Sequence, residues 1–220
     1  HATRVSQCID HKTYDEFALP AAPGGLRVFT RGIPVHAPSR STYSDGPDQK
    51  LGVAISYVCT TEGWLYLVIV LDLFASRVVG WATSDQLKKD LALNDLRKAI
   101  ALRQPPPGLI HHSDRGSQHC SHDYQQLLNT HCITASMSGK GNCYDNAMVE
   151  IVFKTIKNEQ LWRTVIQNRM GAELTLGRHI DGFYNPLRRH SALEYKSPES
   201  FEAAFGKNKL NFSPLNQGRS

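Results

Sequence analysis

The sequence lacks a long apolar run. Its longest uninterrupted stretch, Trp64–Leu71, has eight residues and is followed by Asp72, whereas a helix that crosses a bilayer needs about 20. We therefore expect no membrane-spanning helix. The N-terminus, His1–Arg4, has neither a starting Met nor an apolar signal core, which indicates a fragment or processed piece of a cytoplasmic protein.

Paired cysteines are absent too. The five cysteines include no CxxC pair and lie at positions 8, 59, 120, 132 and 143. An odd number without paired spacing argues against a disulfide framework. A zinc cluster from the histidines and cysteines of residues 119–143 is the alternative, but the spacings match no structural zinc knuckle, so we expect reduced thiols.

A strong charge of one sign is also missing. The chain has 25 Lys and Arg against 20 Asp and Glu, a formal net charge of +5, which is compatible with a nucleic-acid partner but does not require one. Hydrophobic residues make up 40% of the 220 positions. This is enough for one domain with a well-formed core, and it excludes a chain that is disordered throughout.

Three segments differ in composition. Residues 1–46 contain scattered Pro and Gly without a helical or strand period, residues 47–205 show regular patterns, and residues 206–220 form a tail. The patterned segment predicts three antiparallel strands, a helix over Leu87–Leu102, a strand, a helix, a strand and a long helix that begins at Asp145 or Asn146. This order predicts an α/β fold with a mixed five-stranded sheet and helices on both faces.

Two carboxylates in this segment are the candidate catalytic and metal-binding residues. Asp114 follows a predicted strand, where catalytic groups of open α/β sheets gather, and Glu150 lies one turn into the long helix. Oxygen ligands on rigid elements suit Mg²⁺ or Mn²⁺. Lys154 and Lys157 share the helical face of Glu150 and point at whatever anion the metal holds, unless the three residues are only a solvated helix face.

Several motifs resemble the catalytic domain of bacterial insertion-sequence transposases of the OrfB type, which are related to retroviral integrases. The motifs are the hairpin and third strand within residues 63–81, then His111–Gln118, Ser136–Ala147, Glu150, Phe183–Asn185, Arg188–Leu193 and Ser197-Pro198. They occur in order over about residues 47–205. The resemblance implies a ribonuclease-H-like fold.

The resemblance further implies a metal-dependent polynucleotidyl transferase with an Asp, Asp, Glu triad that acts on DNA. Asp114 and Glu150 match the second and third triad positions, with 35 residues between them. The implied DNA contacts are Lys140, Lys154, Lys157, Arg188, Arg189 and His190. We also expect a homo-oligomer on DNA, located in the bacterial nucleoid, and we interpret residues 1–46 as a degenerate remnant of a helical DNA-binding region.

The chain departs from this family at the first triad position. Leu51–Tyr57 correspond to the first strand, and Ala54 stands where the family has Asp. We expect a weakened Mg²⁺ or Mn²⁺ site and impaired catalysis, because a bridging ligand is gone. The alternative is a catalytically inactive DNA-binding or interaction module that retains the fold.

Overall fold

The structure, a computed structural model, describes residues 44–114, 116–137, 147–161 and 166–211, without the side chains of Lys89 and residues 208–211. The strands are β1 (Lys50–Thr60), β2 (Gly63–Asp72), β3 (Arg77–Ser84), β4 (Ile110–Ser113) and β5 (Thr134–Met137). The helices are α1 (Lys89–Arg103), α2 (His122–Thr130), α3 (Ala147–Ile156), α4 (Arg169–His179) and α5 (Pro198–Asn211). Turns of π-helix continue α3 over Lys157–Leu161 and α4 over Ile180–Tyr184, and a 3-10 turn covers Ser191–Leu193.

The first three strands form the antiparallel meander that the sequence predicts. Thr60 closes the first turn by donating its hydroxyl to the Gly63 carbonyl at 2.7 Å, and Gly63 has a φ of +109°, a conformation that favours glycine. Ala54 lies opposite Ile69. A turn centred on Thr61 predicts Val68 instead, and this register is wrong by one residue because two residues, not one, form the turn.

Within the described residues, the strands form one five-stranded sheet in the order β3-β2-β1-β4-β5. Strand β4 runs parallel to both of its neighbours. Its ladder with β1 covers only Lys50–Val53, so β4 ends beside the middle of β1. The predicted mixed sheet is confirmed, and β4 ends next to position 54 of β1.

Apolar layers cover the two faces of the sheet. On one face, Ala54 and Ile69 share a buried cluster with Val149 and Phe153 of α3. On the other face, α1 and α2 cover the sheet, and the buried side chains there include Val53, Val68, Leu96, Tyr124 and Leu128. Helices therefore lie on both faces, as the sequence predicts.

A network of buried charges fastens α5 to the sheet. The Arg103 side chain, 7% exposed, lies 2.6 Å from Asp48 Oδ1, 3.1 Å from Asp72 Oδ2 and 2.5 Å from Glu202 Oε1. Asp72 is fully buried at the end of β2 and also accepts the N–H groups of Asp48 and Phe74. Burial raises the pKa of Asp72, and these N–H groups and Arg103 oppose that rise. The Arg103 network therefore links β2, α1 and α5.

Candidate active site

The two positions that the resemblance predicts as the first and second of the triad follow paired residues on neighbouring strands. The parallel ladder pairs Val53 with Ser113, so the residues that follow, Ala54 and Asp114, are neighbours across a gap of about 4.8 Å. Ala54 is 8% exposed and belongs to the core cluster under α3. A carboxylate at position 54 would therefore face Asp114, and this chain has a methyl group there.

Asp114 is held by two hydrogen bonds on one oxygen. His119 Nδ1 lies 2.8 Å from Asp114 Oδ1, and the Gly116 N–H donates to the same oxygen at 3.0 Å. The Asp114 side chain is 53% exposed. Burial raises the pKa of this carboxyl, but the hydrogen bonds from His119 and Gly116 outweigh it and hold the pKa below its usual value. Asp114 is therefore ionised at neutral pH.

Gly116 is required by this arrangement. A Cβ at this position would lie 2.9 Å from Asp114 Oδ1, which is closer than carbon and oxygen atoms approach without a shift. The loop after β4 therefore brings the backbone close to the carboxylate because residue 116 has no side chain.

Glu150 lies on the first turn of α3. Its neighbour Val149, like Phe153 one turn later, is buried in the cluster that contains Ala54, whereas Glu150 and Lys154 are exposed. Helix α3 thus lies over the sheet face that carries position 54. An exposed carboxylate at its N-terminal turn is available to bind a cation.

The two other acidic residues near β1 do not replace the missing carboxylate. Asp72 lies opposite Leu51, three residues along the strand from position 54 and so about 10 Å away. Asp72 and Asp48 both bind Arg103. Within the described part of the chain, no three His, Cys, Asp or Glu side chains are grouped so as to hold a metal ion.

The two lysines of α3 and its π-turn lie differently. Lys157 donates from Nζ to Ser56 Oγ at 2.7 Å and lies 5.0 Å from the centre of the Tyr57 ring. Burial lowers the pKa of Lys157. Ser56 is two residues beyond Ala54 and therefore on the same face of β1. Lys157 thus places its ammonium group on the same strand face as Ala54, two residues along β1. Lys154, one turn earlier, is exposed.

The basic segment after α4 is partly neutralised. Arg188 binds Glu159 through Nε at 2.7 and 2.9 Å and through Nη2 at 2.7 Å. His190 lies 3.2 Å from Arg188 Nη1, and burial, with a smaller contribution from Arg188, lowers its pKa to about 4. Arg189 is exposed. Lys140, also predicted to contact DNA, lies outside the described residues.

His119 is the site residue that sequence reasoning missed. It enters the sequence analysis only as a candidate zinc ligand, yet its ring is fully buried against Asp114. The available signal was its place in the same loop, five residues after Asp114. Cys120 and Cys132, from the same alternative, form no disulfide within the described part of the chain.

The sheet order, the helices on both faces and the carboxylates after β4 and on α3 define a ribonuclease-H-like fold. The solved structure of the HTLV-2 integrase catalytic core domain in complex with magnesium, in its trimeric form, is similar, with a TM-score of 0.55 and 16% identity over 71% of this chain and 97% of that chain. At this identity the likeness concerns the fold alone.

The family follows from the sequence comparisons. Two models described as integrase core domain match residues 45–143 and residues 131–198, together more than half of the chain. The chain belongs to the integrase core domain family. It is 42% identical over 173 residues to Transposase InsF for insertion sequence IS3A of Escherichia coli (strain K12), which is 78% of this chain and 60% of the relative.

A second relative gives the same result. The insertion element IS600 uncharacterized 31 kDa protein of Shigella sonnei is 42% identical over 159 residues, 72% of this chain and 58% of the relative. The resemblance to insertion-sequence transposases is confirmed. The chain spans about three-fifths of the length of the curated relatives it matches.

Proposed function

We propose that this chain is the catalytic core of an insertion-sequence transposase that binds DNA and whose metal-dependent phosphoryl transfer is impaired by Ala54. The single observation that carries the proposal is the register of β1 and β4, which sets the Ala54 methyl group beside Asp114. Two of the three carboxylate positions of the family are occupied and one is not. The similarity to Transposase InsF supports the DNA substrate.

The donor set fits one divalent cation better than two. Asp114 and Glu150 supply hard oxygen ligands, which Mg²⁺ and Mn²⁺ prefer. Among the described residues, the hydrogen bonds to Asp114 end on Oδ1, which leaves Oδ2 for a cation. When bound, such ions activate a nucleophilic oxygen and stabilise the leaving oxygen of an in-line displacement. Position 54, where the resemblance implies a further carboxylate ligand, has only a methyl group. The related integrase core was solved with magnesium, which supports the choice of ion.

The chain's own residues would bind and orient the DNA backbone. Lys154 lies one turn after Glu150 and is exposed, and Lys157 follows in the π-helical turn, where it contacts Ser56. Arg189 and Lys140 extend this set. Contacts of this kind are made to phosphate groups and give binding that depends on salt and little on sequence. Binding by a homo-oligomer at the bacterial nucleoid is part of the same proposal.

A second candidate function is a DNA-binding or interaction module without catalysis. It is favoured by one observation, the ion pairs of Asp72 and Asp48 with Arg103, because neither of these acids can then compensate for Ala54.

The described residues include no helix with the length and hydropathy of a membrane span.

Restoring the missing carboxylate distinguishes the two candidates. The chain and its Ala54→Asp variant are assayed for nicking and strand transfer on DNA that carries insertion-sequence ends, with Mg²⁺ or Mn²⁺. The Ala54→Asn variant is the control, because Asn has the shape of Asp without its charge. The double variant Ala54→Asp with Glu150→Gln tests the carboxylate at the third triad position. A damaged enzyme gains activity only in Ala54→Asp. Equal inactivity of all variants that still bind DNA supports the non-catalytic module.

A further inference from the structure

His119 lies in the loop between β4 and α2, directly behind Asp114. Its side chain is fully buried, and its Nδ1 is 2.8 Å from Asp114 Oδ1. Its Nε2 is buried as well and has no hydrogen-bond partner among the described residues. A buried N–H without an acceptor is costly, whereas an unpaired nitrogen lone pair costs less. The ring therefore carries its proton on Nδ1 and donates it to Asp114.

The surroundings of His119 fix the direction of this donor. Its ring packs edge-on against Tyr124 at a centroid distance of 5.3 Å. The Tyr124 hydroxyl is in turn 3.0 Å from His111 Nε2, so the tyrosine is anchored to β4. The His119 backbone is held on both sides, since its N–H donates to the Gly116 carbonyl at 3.1 Å and its carbonyl accepts from Gln125 Nε2 at 2.7 Å. The imidazole therefore cannot turn away from Asp114 without disturbing β4 and α2.

We infer that His119 is a positioning residue. Its hydrogen bond holds Asp114 Oδ1 in place and thereby directs Oδ2 toward the cation. This inference rests on the proposed function. Both hydrogen bonds that described residues make to Asp114 end on Oδ1, so they hold the carboxylate in one rotamer and leave its other oxygen for a metal ion. Partners of this kind, which hold a ligand rather than the metal, typically contribute about 10- to 100-fold to metal affinity.

The first experiment needs no metal. A long-range ¹H–¹⁵N correlation spectrum of the full chain reports the tautomer of His119. We expect the Nδ1–H form, with an Nδ1 resonance that moves in the Asp114→Asn variant. An Nε2–H tautomer, or a resonance indifferent to Asp114→Asn, would overturn the inference.

The second experiment measures binding of Mn²⁺ by electron paramagnetic resonance in the Ala54→Asp background, where all three carboxylates are present. His119→Phe keeps a ring against Tyr124 but removes the donor, and His119→Asn restores an N–H near the place of Nδ1. We expect His119→Phe to weaken Mn²⁺ binding about 10- to 100-fold and His119→Asn to recover most of the loss. Thermal melting shows that each variant is folded.

The outcomes separate this inference from the proposed function. If Ala54→Asp binds Mn²⁺ and His119→Phe binds it equally tightly, His119 has no positioning role and the inference is wrong. If Ala54→Asp itself does not bind Mn²⁺, the metal-dependent function fails, and the tautomer spectrum still decides whether His119 holds Asp114. If His119→Phe does not fold, the tautomer spectrum decides, and a His119 Nδ1 resonance that does not respond to Asp114→Asn overturns the inference.

Discussion

Restoring the triad should cost stability when no metal is present. The Ala54→Asp change places a second carboxylate about 5 Å from Asp114, the spacing of adjacent strands. Two such charges repel each other by about 0.8 kcal/mol in water and by about 3 kcal/mol at the effective dielectric constant of a protein surface. Position 54 is largely buried and Asp114 is half exposed. We therefore expect a loss of about 1–3 kcal/mol in the free energy of unfolding at pH 7.

Urea denaturation in EDTA measures this cost, with Ala54→Asn as the uncharged control of the same shape. Repulsion raises the folded pKa of one carboxyl above its unfolded value near 3.9. The destabilisation is therefore present above that pKa and disappears as the pH falls below about 4. Mg²⁺ should reverse it, because a ligand at 100 times its dissociation constant stabilises the folded state by about 2.7 kcal/mol.

The parent chain should gain much less from Mg²⁺, because its two carboxylates form a weaker site. The reasoning is refuted if Ala54→Asp and Ala54→Asn unfold at the same urea concentration in EDTA. It is refuted equally if Mg²⁺ stabilises the parent, the Asp variant and the Asn variant by the same amount.

Three further changes test other parts of the structure. Arg103→Met should cost about 3–5 kcal/mol in urea denaturation, because Asp72 would stay buried without its cation; a cost below that of a surface ion pair, about 1 kcal/mol, contradicts this. Burial raises the pKa of Asp95 well above its usual value, so the free energy of unfolding of the parent should fall as the pH rises above about 4. Asp95→Asn should remove that decline. Parallel curves of stability against pH for the parent and Asp95→Asn would disprove it. Changing Lys154 and Lys157 together to Ala should flatten the slope of log K against log salt for DNA binding by up to about 2, and an unchanged slope in filter binding would show that this helix face does not touch DNA.

Much of the fold could be predicted because its signals are local. The apolar runs within residues 50–84 determine the meander, and Pro105–Pro107 end the first helix, which the structure places at Lys89–Arg103. The apolar residues after these prolines predict a strand over Gly108–His112, and the structure has it at Ile110–Ser113, one or two residues later. Helix α5 has no strong apolar period in sequence and continues beyond residue 205, the predicted end of the core.

The site was predictable in part for a similar reason. The prediction of Asp114, Glu150 and the replacement at Ala54 depends on motifs that follow one another in the chain and not on spacing alone, and the structure places Ala54 and Asp114 after paired residues of β1 and β4. The partners of Arg103 are 55, 31 and 99 residues away, and no local pattern reports such pairs. The pairing of Arg188 with Glu159, 29 residues away, is likewise invisible in a run of basic residues.

The Arg103 network also has a timing consequence during synthesis. Asp48, Asp72 and Arg103 precede Glu202 in the chain, and Glu202 follows Arg103 by 99 residues. At about 5–20 residues per second, translation needs about 5–20 s to cover that distance. During this interval Arg103 faces the two aspartates without its third carboxylate, and β2 lacks the cover of α5. The nascent chain therefore exposes this end of its sheet to chaperones until α5 has been synthesised, and closure of the Arg103 network must wait for Glu202.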